Sequence, residues 1–329
     1  MTIHADLSVQ LGQEATNAWG TEVAPTCQLA GIQDITINPL VDVRLVEQLC
    51  GTRIPARQSV VPMVGGEGSL SKFASYDEVP YWLQGLFGKV TSTTDGDGLF
   101  THDYNAPFYA SDSEDAISYT LVEVDGTEAL RLSGATINTL GISGESGEPL
   151  EVSVDFIGKS VATDAVVSLS CSDVVFAMGS HVSVYIDAGS DAFGGTEIAN
   201  TAWSFELSVE ANREVKRHLG SLTPTSYRDG KMSGELTLGL EMTASTRAYI
   251  VSVLGATKEG VEKNVRIQAV DTSSNTITID FAGVLMGEPT LFEDMDGVNS
   301  MSLTLQGKLN TGDTNWLSIA VKNTVETLV

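Results

Sequence analysis

The sequence predicts a mainly β chain, a β-rich α+β protein made of two tandem β-sandwich or barrel modules, each with one short flanking α-helix. Three observations predict it. Apolar and polar residues alternate with period 2 in many short runs, the pattern of half-buried strands. Only two segments carry helix punctuation. The second half of the chain repeats the order of elements of the first.

The strands come first. Leu150, Val152, Val154 and Phe156 alternate with Glu151, Ser153 and Asp155. Trp203, Phe205, Leu207 and Val209 alternate with Ser204, Glu206, Ser208 and Glu210. Leu236, Leu238, Leu240 and Met242 alternate with Glu235, Thr237, Gly239 and Glu241. Ile277 and Ile279, and then Met301, Leu303 and Leu305, do the same with Thr, Asp, Ser and Gln between them. Each run puts one face on a core and the other toward water. Residues 77–88 have an acidic start, an early Pro80 and a closing Gly88, which reads as a helix. Residues 243–254 read likewise, with Ser245 or Thr246 as cap and Tyr249, Ile250, Val253 and Leu254 as the apolar stripe. The glycine-rich tract 64–69 reads as a loop or bulge.

The repeat supports two modules, 1–168 and 169–329. An offset of 169 aligns Arg44 with Arg213, Val46 with Val215, Gly51 with Gly220, Pro55 with Pro224, Met63 with Met232 and Gly65 with Gly234. An offset of 149 aligns Gly134 with Gly283 and Gly158-Lys159 with Gly307-Lys308. The fall in offset places about 20 extra residues in the first copy, an acidic insertion near 91–116, expected to be exposed or ordered on assembly.

With 329 residues, of which 42% are hydrophobic, the chain has material for two cores and is not a disordered acidic polymer. Its 18 basic against 43 acidic residues give a formal net charge of −25, which excludes electrostatic grip on nucleic acid or an anionic membrane. Residues 1–6 lack the basic start of a signal peptide, and no run of about 20 apolar residues occurs, so the expectation is a soluble chain that folds where it is made. Cys27, Cys50 and Cys171 have neither metal-ligand nor disulfide-scaffold spacing and are expected to be buried free thiols. The basic residues gather at matched places, Arg44, Arg53 and Arg57 in one copy and Arg213, Lys216, Arg217, Arg228 and Lys231 in the other. Basic loops and acidic faces on one molecule meet head-to-tail on identical neighbours, so these eight are candidates for subunit contacts.

No catalytic constellation is found. His4, His102, His181 and His218 have no partner at metal-binding spacing, and His102-Asp103 reads as a surface pair. Residues 141–147 carry the letters of a nucleophile elbow at the wrong spacing. Asp95-Gly96-Asp97-Gly98 and Asp294-Met295-Asp296-Gly297 read as polar turns rather than calcium loops. The chain is expected not to be an enzyme and to need no metal or cofactor. A receptor- or carbohydrate-binding module is the alternative; Phe100, Tyr104, Phe108 and Tyr109 would be its aromatic group.

The opening residues Glu14-Ala15-Thr16-Asn17-Ala18-Trp19-Gly20-Thr21 resemble the E-x-T-x-x-W/Y-G-T start of the tail tube (major tail) proteins of long-tailed, siphovirus-type bacteriophages. Ile35-Thr36-Ile37, the Arg44 to Pro55 loop, the Gly65 to Phe73 strand and the helix ending Leu86-Phe87-Gly88 follow in an order similar to that family. The resemblance covers about residues 10–90 directly. The chain is about twice the length of single-domain tube proteins, which two fused modules would explain.

The resemblance implies a virion tail protein, assembled in the host cytoplasm, whose modules join their inner sheets around a lumen that carries DNA from capsid to host. Two modules per chain imply a homotrimeric, pseudo-hexameric ring; a hexamer with one module as outer decoration is the alternative. A tape measure protein and a tail terminator are the further partners implied, with DNA passing unbound and no membrane involved. An acidic lumen would repel DNA and let it slide. The polar faces of the alternating strands supply the lining candidates: Glu151, Asp155, Glu206, Glu210, Glu235 and Glu241.

Overall fold

The computed structural model describes residues 7–15, 18–46, 58–94, 96–106, 116–171, 173–254, 260–286, 290–295, 298–309 and 315–328. In chain order the first half contains β1 (Leu7–Gln13), β2 (Cys27–Gln28), β3 (Ile32–Val46), β4 (Gln58–Phe73), α1 (Val79–Phe87), β5 (Thr93–Thr94), β6 (Phe100–Asn105), β7 (Tyr119–Asp125), β8 (Glu128–Glu145), β9 (Glu151–Gly158) and β10 (Ser160–Asp164). The second contains β11 (Val182–Ala188), β12 (Ala202–Glu210), β13 (Glu214–Lys216), β14 (Ser226–Arg228), β15 (Ser233–Glu241), α2 (Ala244–Leu254), β16 (Glu262–Val270), β17 (Thr276–Leu285), β18 (Thr290–Met295), β19 (Val298–Gly307) and β20 (Leu317–Asn323). The fold is mainly β, and every alternating run read from the sequence is a strand.

One antiparallel sheet runs through both halves in the order β3–β4–β9–β8–β12–β15–β19–β18. Its inner face is the core: Ile35, Leu70, Val154, Leu140, Val209, Leu236 and Leu305 are all buried. Two further sheets close over that face. In the first half the order is β2–β1–β7–β8–β10. In the second it is β11–β16–β17–β20–β6–β5.

The halves follow one order of ladders. The series β3–β4–β9–β8–β7–β1 in the first is matched by β12–β15–β19–β17–β16–β11 in the second. The long strand β8 belongs to two sheets, pairing with β7 and β10 early and with β9 and β12 late. The crossover comes at Gly134, whose φ of 68° lies in the region glycine tolerates best.

Local chemistry explains the helices. Pro80 presets the first turn of α1, and the Gly88 N–H closes the last turn on the Gln84 carbonyl at 3.0 Å. Trp82 and Leu83 are fully buried. In α2 the cap is Thr243, not Ser245 or Thr246: its Oγ1 accepts the Thr246 N–H at 3.2 Å. Thr246 instead turns its hydroxyl back to accept the Thr243 N–H at 2.8 Å.

Four sequence expectations are corrected. Residues 64–69 are neither loop nor bulge but the middle of β4, where Gly66 faces Gly158 and leaves room for Leu132; a Cβ on Gly66 would stand 2.5 Å from Leu132 Cδ1. The 91–116 insertion is not simply exposed, since β6 extends the second half's sheet along β20. His102 is not on the surface; it is buried, its Nε2 2.9 Å from the Val325 carbonyl. Cys171 is exposed and Cys27 half-buried, while Cys50 lies outside the described residues.

Candidate functional site

The outer face of the central sheet is where the charge pattern becomes a surface. Alternation puts every second residue of its strands there, and register fixes the rows. One row reads Thr36, Ser69, Asp155, Thr139, Glu210, Ser233. The next reads Asp34, Ser71, Ser153, Gly141, Ser208, Glu235, Gln306. A third reads Phe73, Glu151, Ser143, Glu206, Thr237, Thr304. Glu145, Ser204, Gly239 and Ser302 form a fourth, and Glu241 sits opposite Ser300 beyond it.

All six acidic residues singled out from the sequence stand on this one face. Glu151, Asp155, Glu206, Glu210 and Glu235 are exposed and Glu241 half-buried. Asp34, Glu67 and Glu145 share the face and were missed. Glu67 stands in the glycine tract 64–69 and Glu145 in the glycine-rich tract 141–147, where the alternation that marks the other acids is broken. None of the row positions is Lys or Arg.

The spacing has a physical logic. Within a row, acids are separated by Ser, Thr or Gly, so no two carboxylates are directly opposite, the arrangement that destabilises a sheet. Acids two strands apart in a row are about 9–10 Å apart, close to a Debye length at moderate salt.

The basic candidates divide. The Arg44 side chain is 68% exposed and, among the described residues, pairs with Asp42 of its own strand at 2.8 Å. Lys216, Arg228 and Lys231 are exposed, with Arg228 paired to Glu214 across β13–β14. Arg53 and Arg57 lie outside the described residues. Arg217 is half-buried and donates to the Val64 carbonyl of β4 at 2.9 Å.

Arg213 is buried inside its own chain. Its guanidinium donates to the carbonyls of Gly85 at 2.9 Å, Leu86 at 2.7 Å and Ile137 at 2.5 Å, and to Asp229 at 2.6 Å. Two of those carbonyls close α1, where the helix dipole leaves partial negative charge. The β13–β14 hairpin is thereby clamped onto the first half, with Tyr227 edge-on to Trp19 at 5.8 Å. Sequence counted Arg213 as surface charge because composition does not show burial.

The opening motif is structural. The buried Glu14 carboxylate accepts from the Gly20 N–H (2.8 Å), Ser118 Oγ (2.7 Å), Thr120 Oγ1 (3.0 Å) and the Gly134 N–H (2.8 Å). Trp19 Nε1 donates to the Gly134 carbonyl at 2.9 Å. The segment is thus stapled over the bend of β8. Of the aromatic group, Tyr104 is core and donates to the Pro80 carbonyl at 3.2 Å, while Phe108 and Tyr109 lie outside the described residues. Among the described residues no cluster of His, Cys, Asp and Glu is placed to hold a metal ion, and no helix is long and apolar enough to cross a membrane.

The profile of a family described as phage tail tube protein matches residues 5–307. No curated protein matches the chain.

Proposed function

The chain belongs to the phage tail tube protein family, whose members are structural parts of the virion tail that assemble into a tube, and from that premise we propose that it forms stacked rings with the acidic sheet face turned inward as the wall of a DNA conduit. The observation that carries the reading is the sheet itself: eight strands, four from each half, with carboxylates and no cation at the row positions of its outer face. Among the described strands, β3 pairs only with β4 and β18 only with β19, so both ends of the sheet offer open edges. Open edges of this length favour strand addition, and closure into a barrel removes them.

The matched ladders of the two halves support a duplication with modules 1–168 and 169–329, and with it a homotrimeric ring of pseudo-sixfold symmetry. Magnitudes favour three copies over six. Eight strands from each of three chains, about 4.8 Å apart and tilted about 40°, close at roughly 45–50 Å between backbones. That encloses a duplex roughly 20 Å across, whose grooves are about 8 Å deep, with room for side chains and water. Six copies would double the width. A hexamer with one module outside is disfavoured because both halves supply strands to the same sheet.

Rows without Lys or Arg give no cation there to release counterions from DNA, so the duplex slides rather than binds. The long-tailed, siphovirus-type setting, the tape measure protein and tail terminator as end partners, and assembly in the host cytoplasm belong to the same proposal. The test is retention of duplex DNA by assembled tubes. Wild-type tubes are expected to retain none, and tubes of E151K/E206K/E235K to retain it with a steep loss as salt rises. Equal behaviour of the two would refute an inward-facing wall.

A further inference from the structure

Resting on the tube reading, we infer that the β3–β4 hairpin of one copy docks on the second half of a neighbouring copy as β12–β15 docks on the first half of its own chain, with Arg44 as the intermolecular counterpart of Arg213. The chain carries its own template for this joint. Gly158-Lys159 and Gly307-Lys308 follow equivalent strands, which puts Val154 level with Leu303. Val154 faces Leu70, which faces Ile35; Leu303 faces Leu238, which faces Phe205. Ile37 and Asn38 therefore correspond to Leu207 and Ser208.

On its outer edge β12 pairs with β8, Leu207 opposite Ile142 and Ser208 opposite Gly141. Ile142 faces Val152 as Leu291 faces Met301, and Gly141 faces Ser153 as Thr290 faces Ser302. The register follows: Ile37 of one copy opposite Leu291 of the next, and Asn38 opposite Thr290. These edges, β3 and β18, are the two ends of the central sheet, each paired with a single strand among those described.

The arginines occupy matching places. Each is followed by Val at the second position and Gly at the seventh, Val46 and Gly51 after Arg44, Val215 and Gly220 after Arg213. The Arg213 side chain is 4% exposed and caps the carbonyls at the end of α1 and of Ile137; the Arg44 side chain is 68% exposed and, among the described residues, pairs with the half-buried Asp42 of its own strand, a bond that costs little to exchange. Its hairpin also bares Val43 (58%) and Leu45 (70%), with Val60 and Val61 beside them, an apolar surface that a lone chain leaves wet. By the same offset of 149 the counterpart of Ile137 is Met286, exposed after β17. A second copy of this chain offers the matching edge and, at Met286, the counterpart of the Ile137 position.

The test uses the full chain. Oxidised tubes of N38C/T290C are expected to give covalent multimers on non-reducing gels, because directly opposed residues lie within disulfide reach. The single variants, which keep the three native cysteines, are expected to give none. R44E is expected to raise the critical concentration for assembly at least tenfold while its circular dichroism matches wild type. Tubes of N38C/T290C without the cross-link, or a wild-type critical concentration for R44E, overturn the inference and leave the tube reading standing. A wild-type chain that never assembles overturns both.

Discussion

At the residue scale, burial rather than charge decides what individual side chains do. Tyr76, Tyr104 and Tyr119 show it for a neutral group. Burial pushes all three phenols above their ordinary 10.0, with Asp271 adding to the effect at Tyr76 and Tyr81 with Tyr104 at Tyr119. A folded phenol that keeps its proton while the unfolded chain loses it favours folding less and less as pH climbs. Their contribution is therefore complete below pH 10 and lost as pH rises beyond it. Ultraviolet titration is expected to show these three ionising only together with loss of circular dichroism. Glu14 makes the same point for a carboxylate: four donors replace the water it gave up. A motif of that kind was legible in the sequence as a string of letters, but its staple over Gly134 was not, because residues 120 positions away supply the partners.

At the element scale, the β13–β14 hairpin joins the halves through Arg213. Removing that side chain strips partners from three buried carbonyls and from Asp229 at once. Arg213→Ala is therefore expected to destabilise the monomer by about 2–4 kcal/mol in urea unfolding, since each buried carbonyl left without a partner costs about 1–3 kcal/mol, while the exposed Asp229 returns to water. A loss under 1 kcal/mol would mean the clamp is idle. Strands with one wet face were legible because half-burial writes itself as alternation; β9, β12, β15 and β19 are of that kind. The glycine tract of β4 was not legible by alternation, because Gly65, Gly66 and Gly68 interrupt the pattern where Leu132 crosses the strand, and a strand over Gly65 to Phe73 came only from the family resemblance. β6 was not, because its partner β20 lies more than 200 residues away.

At the scale of the whole molecule, the acidic composition resolves into a one-sided sheet. Six lining candidates drawn from three separate strands converge on one face because each strand alternates and the ladders keep register. What the sequence could not show is that the two halves share this sheet, since the β8–β12 joint depends on pairing between them. The same joint repeated between chains would make a pipe. The most direct measurement is a cryo-electron-microscopy reconstruction of the assembled protein along its axis. The expected result is a threefold ring in which β3 of each copy lies on β18 of the next and Glu151, Glu206 and Glu235 point into the lumen. A ring whose lumen is lined by another face, with these carboxylates outside, would contradict it.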